Sequence, residues 1–524
     1  MPTIEIDGRK LEVENGTTVI EAAEKLGLEV PHYCWHPGLP VAGNCRMCLV
    51  EIEKMPKLQI ACNTRVTDGM VVHTTSDKTK TAQKAVLEFL LLNHPIDCPV
   101  CDQAGECKLQ EYYMDYDRQK SRIVLPDKVH KGKAIPIGPH VMLDQERCVL
   151  CARCTRFLDL ITKTSELAIY ERGNHCEIDL APGKTLDNPY SANVVDICPV
   201  GALTNREFRF QARVWYLQRS ESLCAGCSNG CNIEIYHREG KIYRFQPRHN
   251  AAVNDYWMCD AGRLTYRELQ TEGRLTQPLV RAEREFRTAP WAAALGLVAG
   301  PLMDFATSQP GSIGVVVSAR ASNEEIFLIR RLAAKLGARL AGVSWSPADA
   351  FHDDFLVKAD KNPNTRGLQL QGVALDGVDA LLAAATKGAL QALVLFRSDL
   401  MAWREARAVA AALERVPFLV VIDSEQREAA QFANVVLPLA TFAESDGTFT
   451  NHAGRTQRFH AAVTAPGEAQ AGWRALGELL ARLGETVPTD SAEAVFAALA
   501  TESTGFAGMS FTSLGNTGQA SPQA

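Results

Sequence analysis

A chain of 524 residues, 46% hydrophobic and 22% charged, has room for several domains with full cores and is too apolar to be largely disordered. Its net charge of -6 supports solubility and points to no nucleic-acid partner. No apolar run approaches the roughly 18 residues of a membrane span, and the opening "MPTIEIDGRK" lacks the basic region and apolar core of a secretory signal. The expected compartment is therefore cytoplasmic and reducing, where sixteen cysteines point to metal binding or redox chemistry rather than disulfides. All sixteen lie between Cys34 and Cys259, which divides the chain into a metal-rich front and a cysteine-free back.

Taken in chain order, "TIEIDGRKLEVENG" alternates polar and apolar residues about Asp7-Gly8 and predicts a β-hairpin. "TVIEAAEKLG" predicts a short helix, with Thr18 and Glu21 as a capping box and Gly27 just past its end. With the strand-like "CLVEIE" and "MVVHTT", these elements predict a β-grasp domain over residues 1–76. Residues 77–93 predict a helix that Pro95 stops, within a module reaching 134. A third module covers 135–217 and a fourth 218–275. Over 276–500 the runs "IGVVVSA", "ALVLF" and "FLVVID" alternate with amphipathic helices such as "NEEIFLIRRLAAKLGA", opened by a Ser322/Glu325 capping box. That alternation predicts a parallel sheet covered by helices. Residues 501–524 are small and polar and predict a flexible tail. The fold class is multidomain, α+β in front and α/β behind.

The cysteines fall into sets. Cys34, Cys45, Cys48 and Cys62 have the spacing C-x10-C-x2-C-x13-C, in which a CxxC pair and two outlying thiolates can hold a [2Fe-2S] rhombus; tetrahedral zinc is the plain alternative. Cys148, Cys151 and Cys154 with the remote Cys198-Pro199 match one half of a two-cluster bacterial ferredoxin, where the fourth cysteine of each run serves the other cluster. The second half would need cysteines at 158, 188, 191 and 194, and the sequence has Leu158, Asn188, Ser191 and Val194. One [4Fe-4S] cluster is expected there. Cys224, Cys227, Cys231 and Cys259, spaced C-x2-C-x3-C-x27-C, can enclose a further [4Fe-4S] cube, again with zinc as the alternative. Cys176 is left over and reads as a small buried hydrophobe with no assigned role.

The set Cys98, Cys101 and Cys107 lacks a fourth thiolate. His94 precedes it with the spacing H-x3-C-x2-C-x5-C. A histidine at a helix end before proline is ordinarily a C-terminal charge or cap. The flanking Cys62 and Cys148 belong to complete sets, however, so His94 is the nearest unclaimed ligand for a third [4Fe-4S] cluster.

"HYCWHPGLPVAGNCRMCLVEIE", "NHPIDCPVCDQAGECKLQ", "ERCVLCARCTRF" and "DICPVGAL" together resemble the signatures of the large iron-sulfur subunit, the G-type or 75 kDa subunit, of respiratory complex I, the NADH-quinone oxidoreductase. The resemblance spans residues 1 to about 275. It implies that His94 ligates the second cluster with three cysteines. "CAGCSNGCNIEI" to "WMCDAGR" is similar to the extra cluster of some bacterial members and of molybdopterin oxidoreductases, which implies a bacterial protein. "FANVVLPLATFAESDGTFTNHAGRTQRF" resembles the family's molybdopterin-oxidoreductase-like back domain, here shorter than is usual and not expected to hold molybdenum.

With no G-x-G-x-x-G and no G-x-x-x-x-G-K-[ST], no nucleotide site and no catalytic residue are assigned. The resemblance implies a wire from NADH and FMN toward quinone, coupled in the whole complex to proton translocation. Electrons would pass the [2Fe-2S] set, the Cys148 set and the His94 set, with the fourth cluster off the line and structural. The implied partners are a flavin subunit that oxidises NADH, a quinone-side iron-sulfur subunit and other peripheral-arm subunits. Membrane contact would run only through them, on the cytoplasmic side of a bacterial inner membrane. The rival readings are the iron-sulfur subunit of an NAD-linked hydrogenase or formate dehydrogenase, and a zinc-stapled scaffold.

Overall fold

A computed structural model of the chain describes residues 1–117 and 120–523. The chain forms two compact units, Met1–Leu217 and Gln218–Ala524.

The first unit opens with the hairpin Thr3–Ile6/Arg9–Glu12, paired Ile6 to Arg9 across a two-residue turn. Asp7 and Gly8 both take positive φ, 47° and 81°, the backbone a tight hairpin demands. Strand Thr3–Ile6 then pairs in parallel with Met70–His73. The sheet is completed by Leu49–Ile52 and Gln59–Ile60, both antiparallel. The helix Val19–Lys25 starts at the Thr18/Glu21 capping box and turns into Gly27 at φ 69°. Its apolar side buries Val19, Ile20, Ala22 and Ala23 with Ile4, Ile6, Val50 and Val72, and Cys48 and Cys62 lie in that same core. This is the expected β-grasp arrangement.

The next helix runs Asp77–Leu91, capped by Ser76, and ends just before Asn93-His94-Pro95. Beyond it, Val141–Leu143 pairs with Ile135–Pro136 on one side and Leu203–Asn205 on the other. A second hairpin, Leu167–Tyr170/Glu177–Leu180, lies between the two cysteine groups of this module.

The second unit begins with an antiparallel meander, Gln218–Leu223, Asn232–Arg238 and Lys241–Pro247. Its main body is a seven-stranded sheet. Five strands, Val435–Pro438, Phe418–Asp423, Ala392–Phe396, Ile313–Ser318 and Arg339–Val343, pair in parallel in that order. The hairpin Leu279–Ala282/Glu285–Thr288 adds an antiparallel edge. Because both faces are covered, the strands read as continuous apolar runs. Val315, Val317, Val394, Phe396 and Val420 enter one core, with helices Trp291–Ser308, Asn323–Leu336, Gly472–Arg482 and Ala492–Glu502. Val316, Leu393, Leu395 and Leu419 enter the other, with Val378–Thr386 and Ala406–Leu413.

The flexible tail expected over 501–524 is corrected by the structure up to 523; Ala524 lies outside the described residues. Helix Ala492–Glu502 is followed by the turn Thr504–Phe506, the helix Phe511–Leu514 and the strand Gln519–Ala520, which pairs with Arg455 and Thr456. Phe506, Phe511 and Leu514 are buried in the first of the two cores. Three apolar side chains among small polar ones anchor a segment whose average composition suggests disorder.

Candidate metal centres

Each cysteine set is brought together. In the first unit, Cys34, Cys48 and Cys62 are almost fully buried and Cys45 is partly so. The backbone N–H of Cys34 donates to Cys45 Sγ at 3.4 Å. The Cys34 thiol is held low chiefly by hydrogen bonds from Cys45 and Cys62, and Cys48 is held low by Cys62. Cys45 and Cys62 are pushed up by the same bonds. The four thiols thus lie close enough to shift one another's protonation.

Cys148, Cys151, Cys154 and Cys198 line one small cavity of about 20 Å³ with Leu143, Ile178 and Val200. Leu150 and Ala152, between the cysteines, take φ of 52° and 57°. Left-handed non-glycine residues cost of order 1–3 kcal/mol each and persist where surrounding structure imposes them. Here the Leu150 N–H reaches Cys148 Sγ at 3.4 Å. Burial pushes all four thiols up, Cys198 to about 12. The bare thiols are therefore neutral, and metal would have to displace their protons. At the positions where a second ferredoxin cluster would need cysteine, Leu158 and Val194 are fully buried. Asn188 instead donates to Glu166 at 2.8 Å.

His94, Cys98 and Cys107 line a largely apolar cavity of about 580 Å³ with Leu91, Ile96, Leu109 and Met114. Nδ1 of His94 is buried without a hydrogen-bond partner. Burial, then the Arg147 and Lys128 charges, push His94 down to about 4, so the ring is neutral. That is the form in which imidazole ligates metal. Burial raises Cys107 to about 11 and also raises Cys101.

Residues that the sequence did not single out tie these sets together. Arg147 makes a two-pronged ion pair with Asp97 at 2.5 and 2.9 Å and bonds Asp144 at 2.8 Å. It thereby joins the residue before Cys98 to the residue before Cys148. Arg153 and Arg156, on the turn after Cys151, donate to the carbonyls of Trp35 and Cys34. A Cβ on Gly201 would stand 2.5 Å from Cys101 Sγ, so only glycine lets the Cys198 loop lie against the Cys98 loop. Cys34, Cys107 and Cys151, with Cys45, Cys148 and Cys198 at its margin, share one apolar cluster with Tyr33, Met47, Leu87 and Tyr112. A charged residue beside a cysteine was the available signal for Arg147. Gly201 had none beyond its place three residues after Cys198.

In the second unit, Cys224, Cys227 and Cys231 are buried and Cys259 is partly so. The Cys224 N–H donates to the Cys231 carbonyl at 2.8 Å. A Cβ on Gly262 would meet Cys224 Sγ at 2.9 Å and Cys259 Sγ at 3.2 Å. Burial pushes Cys224, Cys231 and Cys259 up, Cys259 to about 11. Cys176 stands apart, half-buried in its own hairpin turn, its carbonyl accepting from Lys131.

Four thiolates around one zinc ion stand about 3.8 Å apart, given Zn–S bonds of about 2.3 Å. Among the described residues no three His, Cys, Asp or Glu side chains form a group suited to a single metal ion. The donor chemistry fits iron-sulfur cores: complete thiolate sets, one unpartnered buried imidazole, and glycines where a side chain would fill the space beside a sulfur. A separate cavity of about 170 Å³ in the second unit is lined by Arg320, Glu325, Lys361, Arg397, Asp423 and Arg427, among others. Arg397 is paired there with Glu325 at 2.7 and 3.0 Å.

Comparison with known proteins finds a series of family matches along the chain. Residues 1–77 match the family 2Fe-2S iron-sulfur cluster binding domain. Residues 83–122 match the NADH-ubiquinone oxidoreductase-G iron-sulfur binding region, and 138–204 the ferredoxin-like domain of NADH-quinone oxidoreductase subunit 3. Residues 217–270 match the molybdopterin oxidoreductase Fe4S4 domain and 365–482 molybdopterin oxidoreductase. These matches define an iron-sulfur protein with 2Fe-2S and 4Fe-4S binding domains ahead of a molybdopterin-oxidoreductase-type α/β domain.

Through its iron-sulfur part the chain is similar to the G-type iron-sulfur subunits of NADH-quinone oxidoreductase. It is 42% identical over 334 residues, 63% of this chain and 39% of the other, to the G-type subunit of the NADH-quinone oxidoreductase of Streptomyces coelicolor. It is 40% identical over 337 residues, 64% of this chain and 46% of the other, to the mitochondrial NADH-ubiquinone oxidoreductase 78 kDa subunit of Candida albicans. A solved NAD+-reducing [NiFe]-hydrogenase is 30% identical, covering 41% of this chain and 91% of that chain, with a TM-score of 0.37. The chain spans half or less of the length of these curated relatives.

Proposed function

We propose that the chain is an iron-sulfur electron-transfer subunit of the peripheral arm of a proton-translocating NADH:quinone oxidoreductase, relaying electrons from NADH and FMN toward quinone. The ligand sets are Cys34, Cys45, Cys48 and Cys62 for one [2Fe-2S] cluster, and His94 with Cys98, Cys101 and Cys107 for a [4Fe-4S] cluster. Cys148, Cys151, Cys154 and Cys198 hold a second [4Fe-4S] cluster, and Cys224, Cys227, Cys231 and Cys259 a third. When bound, such clusters pass single electrons, at potentials set by ligand charge, burial and hydrogen bonds to sulfur.

The observation that carries this reading is the shared apolar cluster that takes in members of the first three sets. The protein's own part is to keep water from the thiolates, to hold the sets close through Arg147, Arg153 and Arg156, and to supply one neutral ligand. No molybdenum is expected, as the resemblance of the back domain implies. Among the described residues no helix is long and apolar enough to cross a membrane. Placement on the cytoplasmic face of a bacterial inner membrane would then come through partners, a flavin subunit and a quinone-side iron-sulfur subunit.

Co-purification with an NADH-oxidising flavin subunit tests the proposal. NADH should bring up the paramagnetic signals of reduced clusters in this chain. Clusters that dithionite reduces but NADH does not, in a complex whose flavin NADH does reduce, would overturn it.

A further inference from the structure

The loop between Cys227 and Cys231 is held from outside as well as by its own turn. Ser228 N–H donates to the Asp360 carbonyl at 2.9 Å, and the Ser228 carbonyl accepts from His452 N–H at 2.8 Å. The carbonyl of Asn229 accepts from Asn451 Nδ2 at 3.1 Å, and that of Gly230 from Gln457 Nε2 at 2.9 Å. Gln457 Oε1 in turn accepts from Asn232 Nδ2 at 2.6 Å. Each residue between the two cysteines is thus bonded to a segment more than a hundred residues away, chiefly 451–457 of the α/β domain.

What this clasp fixes in place is a side chain. Asn229 is 3% exposed, and its Nδ2 donates to Cys231 Sγ at 3.1 Å. Backbone groups reach other sulfurs of this set at longer range, Gly226 N–H to Cys224 at 3.5 Å and Gly262 N–H to Cys259 at 3.2 Å. An N–H aimed at a ligand sulfur presents partial positive charge where added electron density accumulates, so it favours the reduced state. Burial keeps that effect from being screened by water.

We propose that Asn229 is a positioning residue that raises the reduction potential of the fourth centre through its bond to Cys231, and that Asn451 and Gln457 of the α/β domain hold it there. This gives the α/β domain a part in the redox properties of the chain. It rests on the reading of Cys224, Cys227, Cys231 and Cys259 as ligands of one iron-sulfur cluster.

The test is an anaerobic redox titration of the full chain, following each cluster by EPR, in wild type, Asn229→Leu and Asn451→Ala. The fourth cluster's midpoint should fall in Asn229→Leu and fall by less in Asn451→Ala, while the other midpoints stay. An unchanged or raised fourth midpoint in either variant that retains the cluster overturns the proposal. Should both variants lose it, pulsed EPR of wild type with 15N-labelled asparagine decides, since an Asn nitrogen coupled to the fourth cluster is required. Absence of any coupling overturns the proposal. A wild-type chain with no fourth cluster at all would instead overturn the reading of the ligand set.

Discussion

At the scale of single residues, His94 bears the most specific chemical consequence. Its neutral ring, Nδ1 buried, lines one cavity with the Cys98 and Cys107 thiols, so a cluster held by His94 and three thiolates carries one negative charge fewer than one held by four. Less negative charge makes the added electron less costly, which raises the potential. His94→Cys should therefore lower the midpoint of that cluster with iron content unchanged, as read by redox titration. An equal or higher midpoint would contradict the charge argument. Gly201 carries a steric counterpart. A methyl group there would sit 2.5 Å from Cys101 Sγ, so Gly201→Ala should cost the His94 set its cluster, a loss of about four irons per chain, with the [2Fe-2S] signal retained. The cysteine sets and His94 were legible as candidate ligands because spacing along the chain is local information. Arg147, Gly201, Asn229 and Asn451 were not. Each makes a contact that lies between 50 and more than 200 residues away, and beyond the place of Arg147 beside a cysteine nothing in a short window marks such a residue.

At the scale of elements, the local rules read well where neighbours in sequence settle the matter. The Asp7-Gly8 turn and the capping boxes at Thr18 and Ser322 form as their residues predict. The helix Asn323–Leu336 also shows what such rules miss. Its second residue, Glu324, is fully buried and accepts from the Thr448 N–H at 3.0 Å and the Thr448 hydroxyl at 2.7 Å. It thereby docks the helix on strand Gly447–Thr450. Burial raises its carboxyl from 4.5 to about 7. A carboxyl raised in the folded state takes up a proton on folding, so stability is full below pH 4.5, falls as pH rises toward 7, and is flat above. At about 1.4 kcal/mol per unit, the loss is about 3 kcal/mol. Glu324→Gln should flatten that slope in thermal unfolding between pH 5 and 7. A variant as pH-dependent as the parent would contradict the assignment.

At the scale of the whole molecule, the division into a cysteine-bearing front and a cysteine-free back was visible in the sequence. So was the parallel sheet, because strands buried on both faces must be apolar throughout. The folded end of the chain was not: Phe506 and Phe511 pack on Phe496 of the preceding helix and, with Leu514, join the core of the α/β domain, which average composition does not register. The account's central claim is that the four ligand sets hold iron-sulfur clusters rather than single ions. Iron, acid-labile sulfide and zinc measured on the anaerobically purified full chain test it most directly. One [2Fe-2S] and three [4Fe-4S] clusters require roughly 14 irons and as many sulfides per chain, in a brown protein. A colourless chain carrying up to four zinc ions and no sulfide would contradict it.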